Sequence, residues 1–267
     1  MIFQNFKVSA VMHFSAYIAV GESVKKPADY YLNNVSNTIK LLNEVVRAGI
    51  RNFLFSSTCA IMGEPQYLPL DESHPRNPLN PYAWSKYMIE QILEDYERAY
   101  GLRHSILRYF NAAGADPKGR IGECHNPETH LIPIILEAAL GKRVDVGIFG
   151  EDYDTPDGTC VRDYIHVCDL AEAHLLALEW MIREDASNDF NLGNGKGFSV
   201  KEVIDVACRV TGKNIPVRIE GRRAGDAQTL VGSSQKAKNL LGWNPRFDRL
   251  EQIVESAWNW HMKAEKH

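Results

Sequence analysis

The stretch Asn80-Pro81-Tyr82-Ala83-Trp84-Ser85-Lys86 begins a helix and places two ionisable side chains on one of its faces. Pro81 stands where helices usually begin, and apolar residues at helical spacing continue towards Tyr100. Tyr82 and Lys86 project from the same face, one turn apart. An ammonium near a phenol lowers the pKa of the phenol, so this pair could move protons near neutral pH. Taken alone, such a pair is more often a surface feature of an amphipathic helix, and its surroundings must decide.

The helix belongs to an alternating pattern of strands and helices in the first half of the chain. The strands are continuously apolar, which is typical of a parallel sheet covered on both faces. We therefore predict an α/β fold with a Rossmann-like, doubly wound parallel sheet. The predicted strands are Val8–Phe14, Asn52–Ser57 and His104–Phe110, and the predicted helices are Ser23–Arg47 and Tyr82–Tyr100.

Beyond Asn111 the pattern changes. Residues 112–129 contain several Gly and Pro residues and no clear period, which predicts a long loop. We divide the chain into a first domain, residues 1–112, and a smaller mixed α/β domain, residues 113–267, with part of 160–182 packing back on the first. The predicted elements of the second domain are the helices Leu131–Gly141, Asp169–Trp180 and Leu250–Lys263, the strands Val144–Phe149, Arg162–Val167 and Asp189–Leu192, and a capping box at Ser199 and Glu202.

Composition excludes several classes of protein. The net charge of −4 over 267 residues carries no basic block, so nucleic acid is not expected as a partner. Apolar runs are too short or too interrupted to span a membrane, and the first residues lack the layout of an export signal. The five cysteines form an odd set without a Cys-x-x-Cys pair, which indicates a reducing compartment, the cytoplasm, and no disulfide or zinc framework.

Polar residues gather where the predicted strands end. Ser56-Ser57-Thr58 follows one strand, the Tyr82 and Lys86 pair opens the next helix, and Asn111 follows the next strand. Ligands of doubly wound sheets bind outside the carboxyl ends of the strands. Hydroxyl, phenol, ammonium and amide groups in one crevice suit an alcohol whose proton is removed. The alternative is an ordinary strand-to-loop transition in which Ser and Thr satisfy backbone groups.

Motifs in a fixed order extend this pattern from about Val11 to Trp260. On these motifs the chain resembles the extended short-chain dehydrogenase/reductase family, and within it the nucleotide-sugar 4-epimerases. The motifs are His13-Phe14-x-Ala16, Ala19-Val20-Gly21-Glu22-Ser23, Tyr30-Tyr31-x-Asn33-Asn34-Val35, Phe55-Ser56-Ser57, Tyr82-x-x-x-Lys86, Leu107-Arg108-Tyr109-Phe110-Asn111, Pro127-Glu128-Thr129-His130-Leu131-Ile132-Pro133, Asp157-Gly158-Thr159-Cys160-Val161-Arg162-Asp163-Tyr164-Ile165-His166-Val167 and Arg222-Arg223-Ala224-Gly225-Asp226.

The resemblance implies an isomerase that interconverts UDP-glucose and UDP-galactose with NAD as a permanently bound cofactor. Tyr82, kept as phenolate by Lys86 and the positive nicotinamide, would take the proton from the sugar O4 as hydride leaves C4. Thr58 would bond the same oxygen, and the hydride would return to the other face of the 4-keto sugar. The first domain would bind NAD and the second would bind substrate. A homodimer is implied, with the Ser23–Arg47 and Tyr82–Tyr100 helices at its interface.

The resemblance also implies residue roles. The implied cofactor-binding residues are Phe14, Asn33, Ser56, Tyr82, Lys86 and Phe110. The implied substrate-binding residues are Thr58, Asn111, Thr129, His130, Leu131, Phe149, Arg162, Arg223 and Asp226, with the two arginines on the diphosphate because guanidinium forks match phosphate oxygens. Each arginine could instead form a surface or interdomain ion pair. No metal site is expected, because His130, His125 and Cys124 lack regular ligand spacing.

The sequence departs from the family at its start, where the first strand, glycine-rich turn and next strands would precede Met1. At about 30 residues per strand-helix-strand unit, about 60 residues are absent, so the fold is truncated and its Val8–Phe14 strand lies at a sheet edge. Residues 193–197, Gly-Asn-Gly-Lys-Gly, lack the dinucleotide fingerprint, and we interpret them as a turn. The alternatives are a non-catalytic UDP-sugar-binding remnant, or another nucleotide-sugar epimerase or dehydratase. Cys59-Ala60 lacks the acidic pair usual in dehydratases.

Overall fold

The structure, a computed structural model, describes residues 2–223 and 227–264. Its α-helices α1 to α10 are Ile2–Asn5, Val20–Lys25, Pro27–Tyr30, Asn37–Arg47, Pro81–Tyr100, Leu131–Ala139, Val167–Glu184, Val200–Thr211, Gln235–Leu241 and Leu250–Ala264. A π-helix covers Tyr31–Ser36 and a 3₁₀ helix covers Cys59–Met62. Its strands β1 to β10 are Val11–His13, Asn52–Thr58, Arg103–Tyr109, Asn111–Ala113, Val146–Phe149, Val161–His166, Asn188–Leu192, Gly197–Ser199, Val217–Glu220 and Thr229–Leu230.

The first sheet is parallel, in the order β1-β2-β3-β7, which confirms the predicted α/β fold. One face of the sheet packs on α4 and α5 and the other on α7 and α9, so its strands are buried on both sides. β1 lies at one edge of this sheet within the described residues, as predicted. β7 forms the opposite edge of this sheet. The second half of the chain therefore contributes a strand to the first domain, in addition to the part of residues 160–182 that we expect to pack on it.

The predicted Ser23–Arg47 helix is wrong as a single element. The structure breaks it into α2, α3, the π-helix and α4. Pro27 is the physical reason, because its ring removes a backbone N–H and clashes with the preceding turn, so it starts a new helix at N1. The strand predicted over Val8–Phe14 is likewise shorter, Val11–His13.

The start and end of α5 are as predicted. Asn80 is the N-cap and accepts a hydrogen bond from the backbone N–H of Ala83 at 2.9 Å, and Pro81 occupies the first helical position. Gly101 ends the helix in the left-handed conformation, φ +67°, which glycine adopts without strain. This helix therefore fixes Tyr82 and Lys86 relative to the sheet.

The second unit is built on short strands and its own apolar core. β6 lies between β4 and β10 in parallel pairing and also pairs with β8 antiparallel, while β5 pairs with β9. Helices α6, α8 and α10 bury their apolar faces together over β5 and β6. The predicted capping box at Ser199 and Glu202 opens α8.

Candidate active site

The Tyr82 phenol lies where α5 begins, beside the end of β2. Its hydroxyl lies near the Thr58 side chain, which accepts from the backbone N–H of Ala60 at 3.2 Å and caps the 3₁₀ helix. Burial raises the pKa of Tyr82 to about 12, while the nearby Thr58 side chain acts in the opposite direction. The phenol and the hydroxyl that the sequence predicted as partners are therefore together.

Lys86 is a buried ammonium, only 3% exposed. Its Nζ donates to the backbone carbonyl of Ser56 at 2.7 Å and lies 4.9 Å from the centre of the Phe55 ring. Burial lowers the pKa of Lys86 to about 8. Burial of the phenol opposes the lowering of its pKa that we expect from Lys86, and the ammonium is itself directed at Ser56 and Phe55. That Lys86 and the nicotinamide together hold the phenolate stays a prediction.

Ser56 begins a polar chain that leads away from Lys86 on the α7 side of the sheet. Its side chain lies near the Tyr109 phenol and opposes the rise in the pKa of Tyr109 that burial causes, and the Tyr109 hydroxyl bonds Nε2 of His174. The other ring nitrogen of His174 donates to Leu170 O at 2.7 Å, so Nε2 is the acceptor for the Tyr109 hydroxyl. The Phe14 ring, 57% exposed, lies 4.8 Å from the His174 ring. Sequence reasoning missed Tyr109 and His174, although Tyr109 lies within the strand motif.

Ser57 points to the other face of the sheet and does not belong to the site. Its hydroxyl donates to Glu90 Oε1 at 2.5 Å. Glu90 pairs with Arg108 at 2.8 Å, and Arg108 also reaches Asp189 at 2.7 Å. Because successive residues of a strand face opposite ways, Ser56 and Thr58 lie on the face of the sheet opposite to Ser57, and Thr58 is the one near the phenol.

Asn34 joins the loop after β1 to α5, which sequence reasoning also missed. Its amide accepts from Tyr17 N at 2.8 Å and donates to Tyr17 O at 2.9 Å and to the Ser85 hydroxyl at 2.9 Å. The predicted cofactor residue Asn33 donates to Asn34 Oδ1 at 3.0 Å. An asparagine inside a helical stretch is disfavoured, and that was the available signal.

One cavity of about 620 Å³ gathers most of the predicted substrate residues. Arg223 stacks on the Phe149 ring at 3.6 Å to the ring centre, which places its guanidinium over the cavity wall. Arg143 and Arg218 also line it and were not predicted, because no motif contains them. Asp226 lies outside the described residues, and Thr58 lies outside the lining. The predicted residues that the cavity brings together are Asn111, Thr129, His130, Leu131, Phe149, Arg162 and Arg223.

We predicted that Phe110 binds the cofactor, but its side chain is directed away from the crevice. Its ring is buried with Leu70 and Met62, and a Cβ at Gly232 would meet it at 2.1 Å. A contact between this residue and a cofactor would therefore run through its backbone. The Asn111 amide donates to Asp163 O at 2.8 Å, which fixes its orientation at the cavity.

The Gly193–Gly197 segment is a turn, as we interpreted it. Its N–H groups at Asn194 and Gly195 donate to the buried carboxylate of Asp163 at 2.8 Å and 3.0 Å. Burial raises the pKa of this carboxyl to about 6, while the backbone donors act in the opposite direction. Donors that are already bonded to a carboxylate are not available to a phosphate.

Four metal-ligating side chains meet on the loop before α6. Glu123, His125, Glu128 and His130 each offer one ligand atom, and these atoms lie within 4.8 Å of one another. The sequence predicted no such group, because these four residues are irregularly spaced along the chain and only the folded loop brings their side chains together.

Among the described residues, no helix is long and apolar enough to cross a membrane. All five cysteines are free.

The crevice chemistry fits a dinucleotide. Aromatic rings of Phe14 and Tyr17, 57% and 50% exposed, lie just beyond β1 and offer apolar surface for planar rings. Lys86 has three N–H donors and makes one hydrogen bond, to Ser56 O, within the described part of the chain, so it has further donors to offer. Hydroxyl-rich ligands such as nucleosides suit this set.

Comparison with known proteins agrees with the geometry. The profile of the NAD dependent epimerase/dehydratase family matches residues 1–193. A UDP-glucose 4-epimerase from Halalkalibacterium halodurans is 55% identical over 98% of this chain and 78% of its own length. A second from Rhizobium leguminosarum bv. trifolii is 52% identical over 100% of this chain and 81% of its own length.

Solved structures show the same relationship. The structure of UDP-glucose 4-epimerase from Brucella ovis in complex with NAD superposes with a TM-score of 0.93 at 46% identity, covering 96% of this chain and 79% of that one. The enzyme from Bifidobacterium longum in complex with NAD+ and UDP gives 0.92 at 38% identity, covering 98% and 79%. These likenesses confirm the family resemblance inferred from the motifs. The chain therefore belongs to the NAD dependent epimerase/dehydratase family.

Proposed function

We propose that this chain interconverts UDP-glucose and UDP-galactose through a 4-keto sugar, with NAD as the cofactor. The observation that carries the proposal is the placement of the Tyr82 phenol near the Thr58 side chain and one helical turn from the buried Lys86, together with a cavity lined by arginines. Relatives about half identical over nearly the whole chain are UDP-glucose 4-epimerases. Neighbouring structures contain NAD, or NAD+ and UDP.

The cofactor site is formed at the carboxyl ends of β1 and β2. Phe14 and Asn33 would contact it from the first strand and the π-helix, and Lys86 would offer N–H donors to its hydroxyl groups. Asn34 holds this loop against α5, which keeps the cofactor loop and Tyr82 in register. When bound, NAD+ supplies a hydride acceptor for C4 and a positive charge beside the phenol.

Tyr82 is the proton acceptor in this mechanism. With a pKa of about 12 from burial, the phenol alone binds its proton too tightly at neutral pH. Positive charge beside it favours the phenolate, which then accepts the proton from the sugar O4. Thr58 lies near the phenol, so it is placed to bond the same sugar oxygen and to align it. Tyr82 returns the proton when the 4-keto sugar is reduced on its other face.

The substrate is gripped at its nucleotide end. Arg162 and Arg223 present guanidinium groups to the cavity, where they match diphosphate oxygens. The cavity of about 620 Å³ is within the usual range for ligand sites, about 300–1,000 Å³. Strong contacts to the diphosphate and weak ones to the hexose let the keto sugar turn without dissociating. Thr129, His130, Leu131, Phe149 and Asn111 complete the walls, and Asp226 is proposed from the motif alone.

The test is conversion of UDP-galactose by the purified chain supplied with NAD, followed by the anomeric proton signals of the two sugars in NMR. We expect both UDP-hexoses at equilibrium with no net formation of NADH. Binding of UDP without conversion would instead indicate the non-catalytic remnant. Loss of water from the sugar would indicate a dehydratase.

We also propose a homodimer in the cytoplasm. Its interface would use exposed apolar side chains on α2, the π-helix and α5, which are Val24, Leu32, Trp84, Met88 and Tyr100. Light scattering should give twice the chain mass, and Trp84→Glu with Met88→Glu should give the monomer mass. A monomer for the unmodified chain would refute the dimer without touching the assigned chemistry.

A further inference from the structure

We propose that Glu123, His125, Glu128 and His130 form a binding site for one divalent transition-metal ion. We call these four residues the 123–130 cluster. Their ligand atoms lie within 4.8 Å of one another. In a tetrahedral site with bonds of about 2.0–2.2 Å the ligand atoms are about 3.3–3.6 Å apart, so side-chain movements of about 1 Å close the site. The proposal does not depend on the proposed function.

Each imidazole in the 123–130 cluster is already paired with a carboxylate. His130 Nδ1 lies 2.9 Å from Glu128 Oε1, and His125 Nδ1 contacts Glu123 Oε1. A carboxylate that accepts one ring N–H fixes the tautomer and leaves the other ring nitrogen with a lone pair. Histidine and carboxylate pairs of this kind are the usual surroundings of bound transition metals.

Glu128 is a buried carboxylate, its side chain 3% exposed. Its Oε1 accepts from Thr129 N at 2.6 Å and His130 N at 2.7 Å. Its other oxygen, Oε2, receives no hydrogen bond from residues 2–223 or 227–264. Because Oε1 already accepts from Thr129 N, His130 N and His130 Nδ1, Oε2 is the oxygen that remains to bind a cation.

The backbone that carries the cluster is held at both ends. Trp260 Nε1 donates to Glu123 O at 2.7 Å, and Arg143 reaches Glu128 O at 3.3 Å. Fixing the loop in advance reduces the ordering that metal binding requires. Two carboxylates and two neutral imidazoles balance a dication, and this nitrogen and oxygen set suits Zn²⁺, Co²⁺ or Ni²⁺ better than Ca²⁺ or Mg²⁺.

The position of the cluster gives a bound ion a structural consequence. His130 lines the 620 Å³ cavity, and Glu123 lines a second cavity of about 350 Å³ beside Trp260 and His261. The ion would therefore join the walls of both cavities.

The experiment titrates the untagged, chelator-treated full chain with Co²⁺ and Zn²⁺. Co²⁺ reports inner-sphere nitrogen and oxygen ligands through its visible absorption, and calorimetry with Zn²⁺ gives affinity and stoichiometry. We expect one ion per chain, displacement of Co²⁺ by Zn²⁺, and no heat with Mg²⁺. His125→Ala and Glu123→Gln should each weaken binding by at least about tenfold, since even partners of ligands contribute 10–100-fold.

Cys124→Ser is the matched control, because Cys124 is exposed between two proposed ligands and could bind Zn²⁺ by itself. It should leave affinity and Co²⁺ absorption unchanged. Circular dichroism verifies that each variant is folded. Failure of the unmodified chain to bind Co²⁺ or Zn²⁺, equal binding by folded His125→Ala, or loss of binding only in Cys124→Ser would each overturn the site.

Discussion

Replacing Lys86 with methionine measures how much the burial of this ammonium lowers the stability of the folded chain. Lys86 is 3% exposed, and burial lowers its pKa from 10.5 to about 8. A shift of that size disfavours the charged form in the folded protein by about 3 kcal/mol, at about 1.4 kcal/mol per pKa unit. Methionine keeps the length of the side chain and removes the charge.

The penalty depends on pH in a defined direction. Below pH about 8 the folded chain carries the ammonium and the penalty is complete. As the pH rises from about 8 towards 10.5, the unfolded chain binds more protons than the folded chain, so stability rises. Between pH 7 and pH 9.5, the unfolding free energy of the unmodified chain should rise by about 2 kcal/mol relative to Lys86→Met.

The assay is urea unfolding of the ligand-free proteins, followed by tryptophan fluorescence at both pH values. At pH 7 the lost bond to Ser56 O, about 1–3 kcal/mol for a carbonyl left unpaired, offsets part of the gain from removing the charge. Lys40→Met, at an exposed lysine on α4, is the matched control. A difference between Lys86→Met and the unmodified chain that stays constant with pH would refute the reasoning.

Three further perturbations follow from the contacts. Glu90→Ala leaves Arg108 buried without its main partner and should lower the unfolding free energy by about 3–5 kcal/mol, measured by urea unfolding. Asn34→Ala removes the bonds from the cofactor loop to α5, so retention of NAD after gel filtration should fall while the UDP dissociation constant stays unchanged. Arg223→Ala removes a diphosphate donor and should weaken UDP binding in calorimetry by about tenfold or more, at about 1.5–3 kcal/mol for a charged hydrogen bond.

Controls and contrary results are specific to each variant. Arg98→Ala breaks an exposed pair with Asp95 and should change stability by less than about 1 kcal/mol. An equally small effect of Glu90→Ala would contradict the role of the buried pair. If Asn34→Ala retains NAD fully, Asn34 does not support the cofactor site. If Arg223→Ala binds UDP with unchanged affinity, Arg223 does not bind the diphosphate.

Local signals in the sequence were sufficient for α5. Asn80, Pro81 and Gly101 act within one or two turns of the helix ends, so the positions of Tyr82 and Lys86 could be predicted. Lys86 donates to Ser56 O, which belongs to β2, and only the folded chain brings this strand next to α5. Burial of the phenol is also a tertiary property, so the sequence predicts the lowering of its pKa by Lys86 and not the opposing effect of burial.

Other features depend on contacts between distant segments. Successive side chains of β2 point to opposite faces of the sheet, and the sequence does not say which face is which. The packing of α5 places Ser57 against Glu90 and Thr58 near Tyr82. The 123–130 cluster closes on an irregular loop that is held by Trp260, far along the chain. Spacing along the sequence carries no signal for contacts of this kind.

The assignment of Tyr82 as the group that exchanges a proton with the sugar is tested most directly by Tyr82→Phe. The variant keeps the ring and removes only the hydroxyl, so the kcat for UDP-galactose conversion should fall by about 10²–10⁴. The UDP dissociation constant should remain that of the unmodified chain, because the cavity that holds the arginines does not include Tyr82. A kcat that stays within a few-fold of the unmodified chain would contradict the mechanism.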